Sequence, residues 1–392
     1  MVLLTIIGED ISRGIPLFFS FRRDKIEHLL LCDDAPENVR RARQLERGLK
    51  RFVVATGAEW LVDVVQVDED YGASIRSAAR TAIKHDRQIV LNISDTTAPL
   101  SAMLSAIIRE HGGIVISYDP YDNDLHLIDS DGRLETRQIT DRIDIESYLT
   151  LLDYRIRTSA SMSEVFARRD VVTQLFAAES DFAQTRNHLL RQFFKQPLKG
   201  ERLQSHILEL LRQIGVVDRF DRLIASQQKV LMGDLFEERL WALVRELEPD
   251  DLMLGVQIDF DDPQSEPIPG YRVLNEFDLL IAHRNRLFVI EAKYSDNLNG
   301  AEVVYKYDAI LDHLGSATKA IIANVSSKRP KEPYLDTYAS KNFTRSALRR
   351  ARMAGMAIYH DDHLDPARFQ KLVSSFFHIG GTHEYYRYAL NF

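Results

Sequence analysis

The residues most suited to chemistry lie in the stretch 275-NEFDLLIAHRNRLFVIEAKY-294, which has the pattern of two apolar strands joined by a short turn. Asp278 lies inside the first apolar run, and Glu291 and Lys293 end the second. Burying an unpaired charge costs several kcal/mol, so charges in such strands need partners, a metal ion or a catalytic role.

Alternation along the strand places Glu291 and Lys293 on one face of the sheet. The turn 283-HRNR-286 is short enough to fold the first strand back and to bring Asp278 close to Glu291. Two converging carboxylates beside an ammonium predict a site for Mg²⁺ or Mn²⁺, as metal-assisted phosphodiester hydrolysis requires. From the hairpin alone, surface charges that pair with one another explain the pattern equally well.

A further acidic residue favours the catalytic interpretation. Gly233 opens an amphipathic helix, and Glu237 follows it by four positions. The order Gly-x-x-x-Glu, then Asp278, then Glu291-x-Lys293 resembles the PD-(D/E)XK nuclease superfamily. The resemblance implies that the three acids bind the metal and that Lys293 completes the catalytic set.

This resemblance covers approximately residues 233–326. Within it, Glu238 is an alternative to Glu237, because the helix could present either side chain. Lys306 lies on the helix after the hairpin, where it could reach a substrate phosphate or simply face solvent.

Basic residues accumulate after this segment. From Lys319 to Arg352 there are nine Lys or Arg residues against two acids, with Tyr334, Tyr338 and Phe343 among them. Positive charge attracts phosphates and aromatic faces stack on unpaired bases, so the stretch predicts a nucleic-acid path, with a solvated basic surface as the alternative. No base-reading motif is present, so we expect little sequence specificity.

The elements that must position these residues change character twice along the chain. Apolar runs alternate with helix-like stretches over residues 1–150, which predicts an α/β domain with a mainly parallel, doubly wound, Rossmann-like sheet. The segment 121–139 predicts an antiparallel hairpin. Residues 151–230 have the pattern of a helical connector, or alternatively a small winged-helix module, and residues 231–392 form the predicted nuclease domain.

Polar loops follow two strands of the first domain, where a doubly wound sheet binds ligands. They are 8-GEDISRGIP-16 and 92-NISDTTAPLSAM-103, and the second leads into a helix whose first N–H groups could meet an anion. The sequence has neither a GxGxxG fingerprint nor a Walker loop, so ordinary polar loops would explain this domain by itself. The candidate ligand-binding residues are Gly8, Glu9, Asp10, Ser12, Arg13, Asn92, Ser94, Asp95, Thr96 and Thr97.

Most of the chain resembles the CRISPR-associated Rossmann fold (CARF) nucleases. A Rossmann-like domain, a helical connector and a PD-(D/E)XK restriction-endonuclease-like domain follow one another, and 139-ITDRIDIESYLTLL-152 is similar to that family's exit from the sensor domain. The resemblance implies a homodimer that binds one cyclic oligoadenylate made by a type III CRISPR complex. It also implies an activated nuclease that cuts DNA, RNA or both with Mg²⁺ or Mn²⁺.

One loop departs from that family. Many CARF domains have a Gly-Gly-Thr-Lys-like loop after the fourth strand, where this chain has Asp95-Thr96-Thr97-Ala98. The missing Lys removes a charge that could meet ligand phosphate, and Asp95 is expected to add repulsion. Arg13 in the first loop could compensate.

Composition narrows the class of protein. The chain has 392 residues, 45% apolar and 28% charged, with a net charge of −8, which is typical of a globular protein of two or three domains without a generally basic surface. No apolar run approaches the ~20 residues that span a bilayer, so we expect no membrane partner. The opening MVLLTIIGED predicts a buried strand rather than a signal peptide, and the single cysteine, Cys32, fits a cytoplasmic protein.

Two other functions remain open at this point. One is an unregulated DNA-repair or restriction-type nuclease whose first domain only dimerises. The other is a non-enzymatic nucleotide sensor whose connector binds DNA. The complete set of Glu237, Asp278, Glu291 and Lys293 argues against the second.

Overall fold

Two β-sheets organise the chain, one in each half. The computed structural model describes residues 1–67, 71–85, 87–259, 274–295, 298–326 and 343–378. Within these residues, the first sheet has seven strands and the second has six.

The first sheet is mainly parallel, as the alternation of apolar runs and helices predicted. Its strands are β1 (Val2–Ile6), β2 (Ile26–Cys32), β3 (Trp60–Gln66), β4 (Ile89–Asn92), β5 (Ile114–Asp119), β6 (Asp124–Ile128) and β7 (Leu134–Gln138). They lie in the order β3-β2-β1-β4-β5-β6-β7. The first five are parallel, whereas β6 and β7 add an antiparallel hairpin. The Rossmann-like fold predicted for this domain is confirmed.

Helices cover both faces of this sheet. They are α1 (Ile15–Ser20), α2 (Pro36–Thr56), α3 (Tyr71–Lys84) and α4 (Ala98–Glu110). On α2, Leu45, Leu49 and Phe52 recur at helical spacing and are buried against the sheet. Because β1 and β4 are neighbours, with Thr5 opposite Asn92, the loops that follow them emerge side by side.

The connector differs from the sequence prediction at its start. Its elements are α5 (Ile145–Leu151), β8 (Arg155–Thr158), α6 (Met162–Ala177), α7 (Glu179–Phe193) and α8 (Ser205–Gln213). Residues 155–158, which the pattern assigned to the helical connector, form an edge strand of the second sheet. Four residues with two arginines give no strand signal, and the pairing with the neighbouring strand determines their conformation. A short antiparallel bridge between Val217 and Leu223 follows α8.

The second sheet is mixed. Its remaining elements are α9 (Leu235–Arg245), β9 (Asp251–Asp259), β10 (Leu274–His283), β11 (Arg286–Tyr294), α10 (Gly300–Leu314), β12 (Lys319–Val325), α11 (Arg345–Met353), β13 (Met356–Asp361) and α12 (Pro366–His378). The strands lie in the order β13-β12-β11-β10-β9-β8, with an antiparallel β9-β10-β11 meander followed by parallel β12 and β13. None of the helices described in either half is long and apolar enough to cross a membrane.

A two-residue turn joins β10 to β11 and also touches the first domain. Arg284 and Asn285 both have positive φ, 49° and 60°, as a type I′ hairpin turn requires. The Asn285 side chain accepts a hydrogen bond from the backbone N–H of Ile143 at 2.9 Å and donates one to Asn123 Oδ1 at 2.8 Å. The hairpin is therefore anchored on the exit of the first domain.

The two sheets share one core. A single apolar cluster contains Leu30 and Leu49 of the first domain together with Leu280, Val289 and Tyr307 of the second. The opposite face of the second sheet packs on the connector helices and on α9 and α12. The second sheet is therefore enclosed between the first domain and the connector.

Candidate active site

The β10–β11 hairpin brings Asp278 and Glu291 together. Its register pairs Leu279 with Ile290, which places Asp278 opposite Glu291 on the neighbouring strand. Both residues are buried. The apolar runs that predict the strands therefore also place two acids side by side.

Lys293 completes this group. Its Nζ lies 2.7 Å from Glu291 Oε1 and 3.4 Å from Asp278 Oδ2. The backbone N–H of Ala292 donates a further hydrogen bond to Asp278 Oδ2 at 2.7 Å. Burial lowers the pKa of Lys293, but Asp278 and Glu291 outweigh it and raise this pKa above its ordinary value. Lys293 is therefore held as an ammonium between the two carboxylates.

Tyr307 also belongs to the site, and the sequence analysis did not find it. Its side chain is fully buried on α10, and its hydroxyl donates a hydrogen bond to Glu291 Oε2. Burial and the neighbouring Glu291 raise the pKa of Tyr307 well above its ordinary value, so the hydroxyl remains a donor. The sequence does contain one signal for this role, a tyrosine on the apolar face of a predicted helix. A hydroxyl buried there needs a hydrogen-bond partner.

The structure separates the two glutamates that the sequence left as alternatives. Both lie in the first turn of α9, which follows a π-helical turn over Val230–Asp234. Glu237 lines the same cleft as Lys293. Asp278 and Lys293 are close enough to act on the pKa of Glu237, which Asp278 raises and Lys293 lowers. Glu238 is buried on the other side, where it forms an ion pair with Arg168 of α6. The geometry therefore favours Glu237.

The electrostatics of this group suit a divalent cation. Burial, followed by repulsion from Asp278, raises the pKa of Glu237 to about 8. Burial and repulsion from Glu291 raise the pKa of Asp278 to about 6. Carboxylates that are costly to keep charged without a cation form the oxygen donor set that Mg²⁺ and Mn²⁺ take. Glu237, Asp278 and Glu291 offer the oxygen donors that such an ion takes, although their carboxylate oxygens do not all lie within 4.8 Å of one another here, and Lys293 is not a ligand.

A cleft of about 600 Å³ opens beside Glu237 and Lys293. Arg186 and Lys229 contribute positive charge to its lining. The Arg186 guanidinium lies 4.9 Å from the centre of the Tyr294 ring and donates a hydrogen bond to the Leu231 carbonyl at 2.9 Å. Arg186 thus links the end of β11 to the segment that leads into α9. Cations around an acidic centre suit a phosphodiester strand.

The predicted nucleic-acid path after the site is only partly described. Tyr334 and Tyr338 lie outside the described residues. Phe343 is fully buried and packs edge-on against His360, so it has no face available for a base. The sequence pattern did not distinguish this core aromatic from an exposed one. On α11, Arg350 forms an ion pair with Asp308.

In the first domain, Asp95 joins the two predicted ligand loops. Its Oδ2 accepts hydrogen bonds from the backbone N–H groups of Gly8 at 3.0 Å and Asp10 at 2.9 Å. A Cβ on residue 8 would lie 1.9 Å from the Asp95 carbonyl oxygen, so the close approach requires Gly8. Burial is the main cause that raises the pKa of Asp95 to about 6. The contacts of Asp95 give it a structural role in addition to the repulsion of phosphate that the sequence predicts.

Three other candidate ligand-binding residues form hydrogen bonds within the loops or with the neighbouring strand. Ser94 donates its hydroxyl hydrogen to Asn92 Oδ1 at 2.6 Å and accepts one from the Tyr118 backbone N–H at 2.9 Å. Ser12 donates to Asp10 Oδ1 at 2.5 Å. Ser12, Asn92 and Ser94 are buried and shape the loops, which corrects the expectation that their polar groups face a ligand. Candidates with exposed or half-buried side chains are Glu9, Asp10, Arg13, Asp95, Thr96 and Thr97.

Fold and site together correspond to a class of architecture in which an endonuclease-like α/β domain follows a Rossmann-like domain. Residues 225–338 match the family described as Card1-like, endonuclease domain. With this endonuclease domain and the architecture above, the chain has the fold of a CARF-domain nuclease.

Solved structures agree with this architecture. The crystal structure of protein VC1899 from Vibrio cholerae has a TM-score of 0.72 at 17% identity and covers 97% of this chain and 99% of that one. The structure of Can2 from Sulfobacillus thermosulfidooxidans in complex with cyclic tetra-adenylate has a TM-score of 0.68 at 15% identity and covers 96% of this chain and 99% of that one. At these identities the similarity establishes the fold. No curated protein matches the sequence.

A pair of neighbouring substitutions distinguishes the two glutamates. We expect Glu237→Gln to weaken Mn²⁺ binding at least about tenfold, ~1.4 kcal/mol, because a charged ligand is lost. The matched control Glu238→Gln should keep the Mn²⁺ affinity but lower the thermal stability, because Arg168 loses its buried partner. Calorimetric titration and thermal unfolding measure the two effects. Loss of Mn²⁺ affinity in Glu238→Gln alone would reassign the ligand.

Metal affinity should also depend on pH. The proton on Glu237, with a pKa of about 8, and that on Asp278, with a pKa of about 6, must leave when a cation binds. The affinity for Mn²⁺ should therefore rise about a hundredfold between about pH 6 and pH 8. Calorimetry in buffers of different ionisation enthalpy counts the released protons. An affinity that is constant over this range would contradict the predicted carboxylate site.

Proposed function

We propose that this protein is a metal-dependent nuclease that a cyclic oligoadenylate, most simply cyclic tetra-adenylate, activates in type III CRISPR antiviral defence. The observation that carries the proposal is the grouping of Asp278, Glu291 and Lys293 inside a Card1-like endonuclease domain. In this proposal it acts as a cytoplasmic homodimer on DNA, RNA or both, with little sequence specificity.

The proposed reaction is hydrolysis of a phosphodiester, in which water forms one P–O bond and the bond to a sugar oxygen breaks. A Mg²⁺ or Mn²⁺ ion held by Glu237, Asp278 and Glu291 would neutralise the phosphate and lower the pKa of a bound water. The Lys293 ammonium orients the attacking water or offsets the charge that develops on the phosphate. Tyr307 and the Ala292 N–H fix the carboxylates.

The proposed activator site lies where the loops after β1 and β4 meet. Can2, which has a similar fold, was solved with cyclic tetra-adenylate. A ring of four identical units has two-fold symmetry and suits a pocket on the axis of a homodimer. Arg13 and the exposed start of α4 at Thr97 offer positive charge and backbone N–H groups to phosphates.

A cleavage assay tests the proposal directly. Single-stranded and duplex DNA and RNA are incubated with Mn²⁺ or Mg²⁺, with and without cyclic tri-, tetra- and hexa-adenylate. The expected result is metal-dependent cutting that an even-membered ring stimulates. Cutting that no ring stimulates would leave an unregulated nuclease, and no cutting of any substrate would overturn the enzymatic assignment.

Substitutions at the centre should separate cleavage from sensing. We expect Glu291→Gln and Asp278→Asn each to lower the cleavage rate at least about a hundredfold, ~2.7 kcal/mol of transition-state stabilisation. In the absence of a divalent metal, both should still bind cyclic tetra-adenylate, because the ligand loops lie in the other domain. Asp170→Asn, at an exposed position on α6, is the charge-matched control. Substantial residual cutting by both variants would refute the site.

The ligand loops provide the converse test. Gly8→Ala should weaken the binding of cyclic tetra-adenylate at least about tenfold, because a Cβ would push the first loop away from Asp95. Gly112→Ala is the control for adding a methyl group outside the loops: the φ of Gly112 is 73°, and a Cβ there meets no atom within 4 Å. Calorimetry should give one ring per two protomers. One ring per protomer, or equal effects of both substitutions, would contradict the loop assignment.

A further inference from the structure

Helix α10 touches both the candidate catalytic centre and the first ligand loop. It begins after Asn299, whose side chain accepts a hydrogen bond from the Glu302 backbone N–H at 3.4 Å, and its buried face includes Val304, Tyr307 and Leu311. These residues belong to the core that the two domains share. A displacement of one end of this helix can therefore move the residues at its other end.

At the catalytic end, Tyr307 helps to fix the orientation of the Glu291 carboxylate. The hydroxyl of Tyr307 binds Glu291 Oε2, while Lys293 Nζ binds Oε1 at 2.7 Å. One oxygen of this carboxylate is thus fixed by its own strand and the other by α10. Because both partners and the carboxylate are buried or half-buried, a shift of the helix changes the orientation of Glu291.

At the other end, the chain beyond α10 is attached to the ligand loop. The backbone N–H of Ser316 donates a hydrogen bond to Asp10 Oδ2 at 3.0 Å. Asp10 in turn donates its own backbone N–H to Asp95 Oδ2 at 2.9 Å. One residue therefore joins both ligand loops to the second domain. The Tyr154 hydroxyl also holds this end of the helix, through the His313 carbonyl at 3.1 Å.

We propose that α10 couples the ligand loops to the catalytic centre, with Asp10–Ser316 as the input contact and Tyr307 as the positioning residue for Glu291. This inference rests on the proposed function. Tyr307 and Leu314 are seven residues apart, roughly 10 Å along a helix that moves as a rigid element. A ligand that displaces the first loop shifts this helix, and it activates only by the difference in its affinity for the two positions.

The turn after α10 permits a selective test of the input contact. The Thr318 N–H donates to the Gly315 carbonyl at 3.0 Å, which makes Ser316 the second residue of a β-turn, where proline is favoured. Gly315 has φ 104° and ψ 155°: the ψ lies in the range of a residue before proline, and the positive φ is open to glycine. Ser316→Pro therefore removes the N–H that binds Asp10 and keeps the turn, and Ser316→Ala keeps the N–H as the matched control.

We expect Ser316→Pro to bind cyclic tetra-adenylate and to retain basal Mn²⁺-dependent cutting, but to lose at least about tenfold of the stimulation by the ring. Ser316→Ala should be stimulated like the wild type. Coupling is reciprocal, so Mn²⁺ should change the calorimetric affinity for the ring in wild type and in Ser316→Ala but not in Ser316→Pro. This second readout requires no cleavage.

Tyr307→Phe tests the output contact. It should raise the Mn²⁺ concentration that gives half-maximal cutting, lower kcat and reduce the stimulation by the ring, with KM for nucleic acid unchanged. Unaltered metal dependence and stimulation in Tyr307→Phe, or full stimulation of Ser316→Pro, would overturn the coupling while leaving the regulated nuclease intact. A wild type that the ring does not stimulate would instead overturn the proposed regulation, and the coupling with it.

Discussion

The pairing of Asp278 with Glu291 across the β10–β11 hairpin is the constraint on which the catalytic half depends. Burial, followed by repulsion from Glu291 on the adjacent strand, raises the pKa of Asp278, and this shift is the cost of keeping its carboxylate charged. The N–H of Ala292, the ammonium of Lys293 and the hydroxyl of Tyr307 offset part of it. A divalent cation would suit the negative charge that these donors leave, which is why the same arrangement is the proposed metal site.

The packing around the hairpin keeps these acids buried and fixed in position. The second sheet is enclosed by the connector on one face and by the core shared with the first domain on the other. The turn at Asn285 is bound to the first domain at Asn123 and Ile143. A signal between the domains could pass through the connector helices α6, α7 and α8. The direct contacts between the two domains offer a shorter route.

Local pattern was sufficient to predict much of this molecule. Period-two alternation and a short turn placed Asp278 near Glu291, and the alternation of strands and helices predicted the doubly wound sheet. Such patterns are local, so they could not show that Tyr307 meets Glu291 or that Asp95 binds the N–H of Gly8 across 87 residues. The choice between Glu237 and Glu238 also depended on a distant residue, Arg168.

The same limit explains the predictions that the structure corrects. Ser94 and Asn92 look like ligand-facing polar residues in the sequence, but their side chains bind each other inside the loop. Phe343 lies among basic residues in the sequence and yet packs in the core. Whether a polar loop or an aromatic residue faces solvent is decided by contacts with distant segments, which a single sequence does not reveal.

Hydrogen exchange of the α10 backbone amides measures whether a ligand in the first domain acts on the catalytic centre through this helix. The amides from Val304 to Leu314 are compared with and without cyclic tetra-adenylate. We expect their protection to change when the ring binds, together with that of the two ligand loops. A ring that binds and changes protection only within residues 1–150 would contradict it.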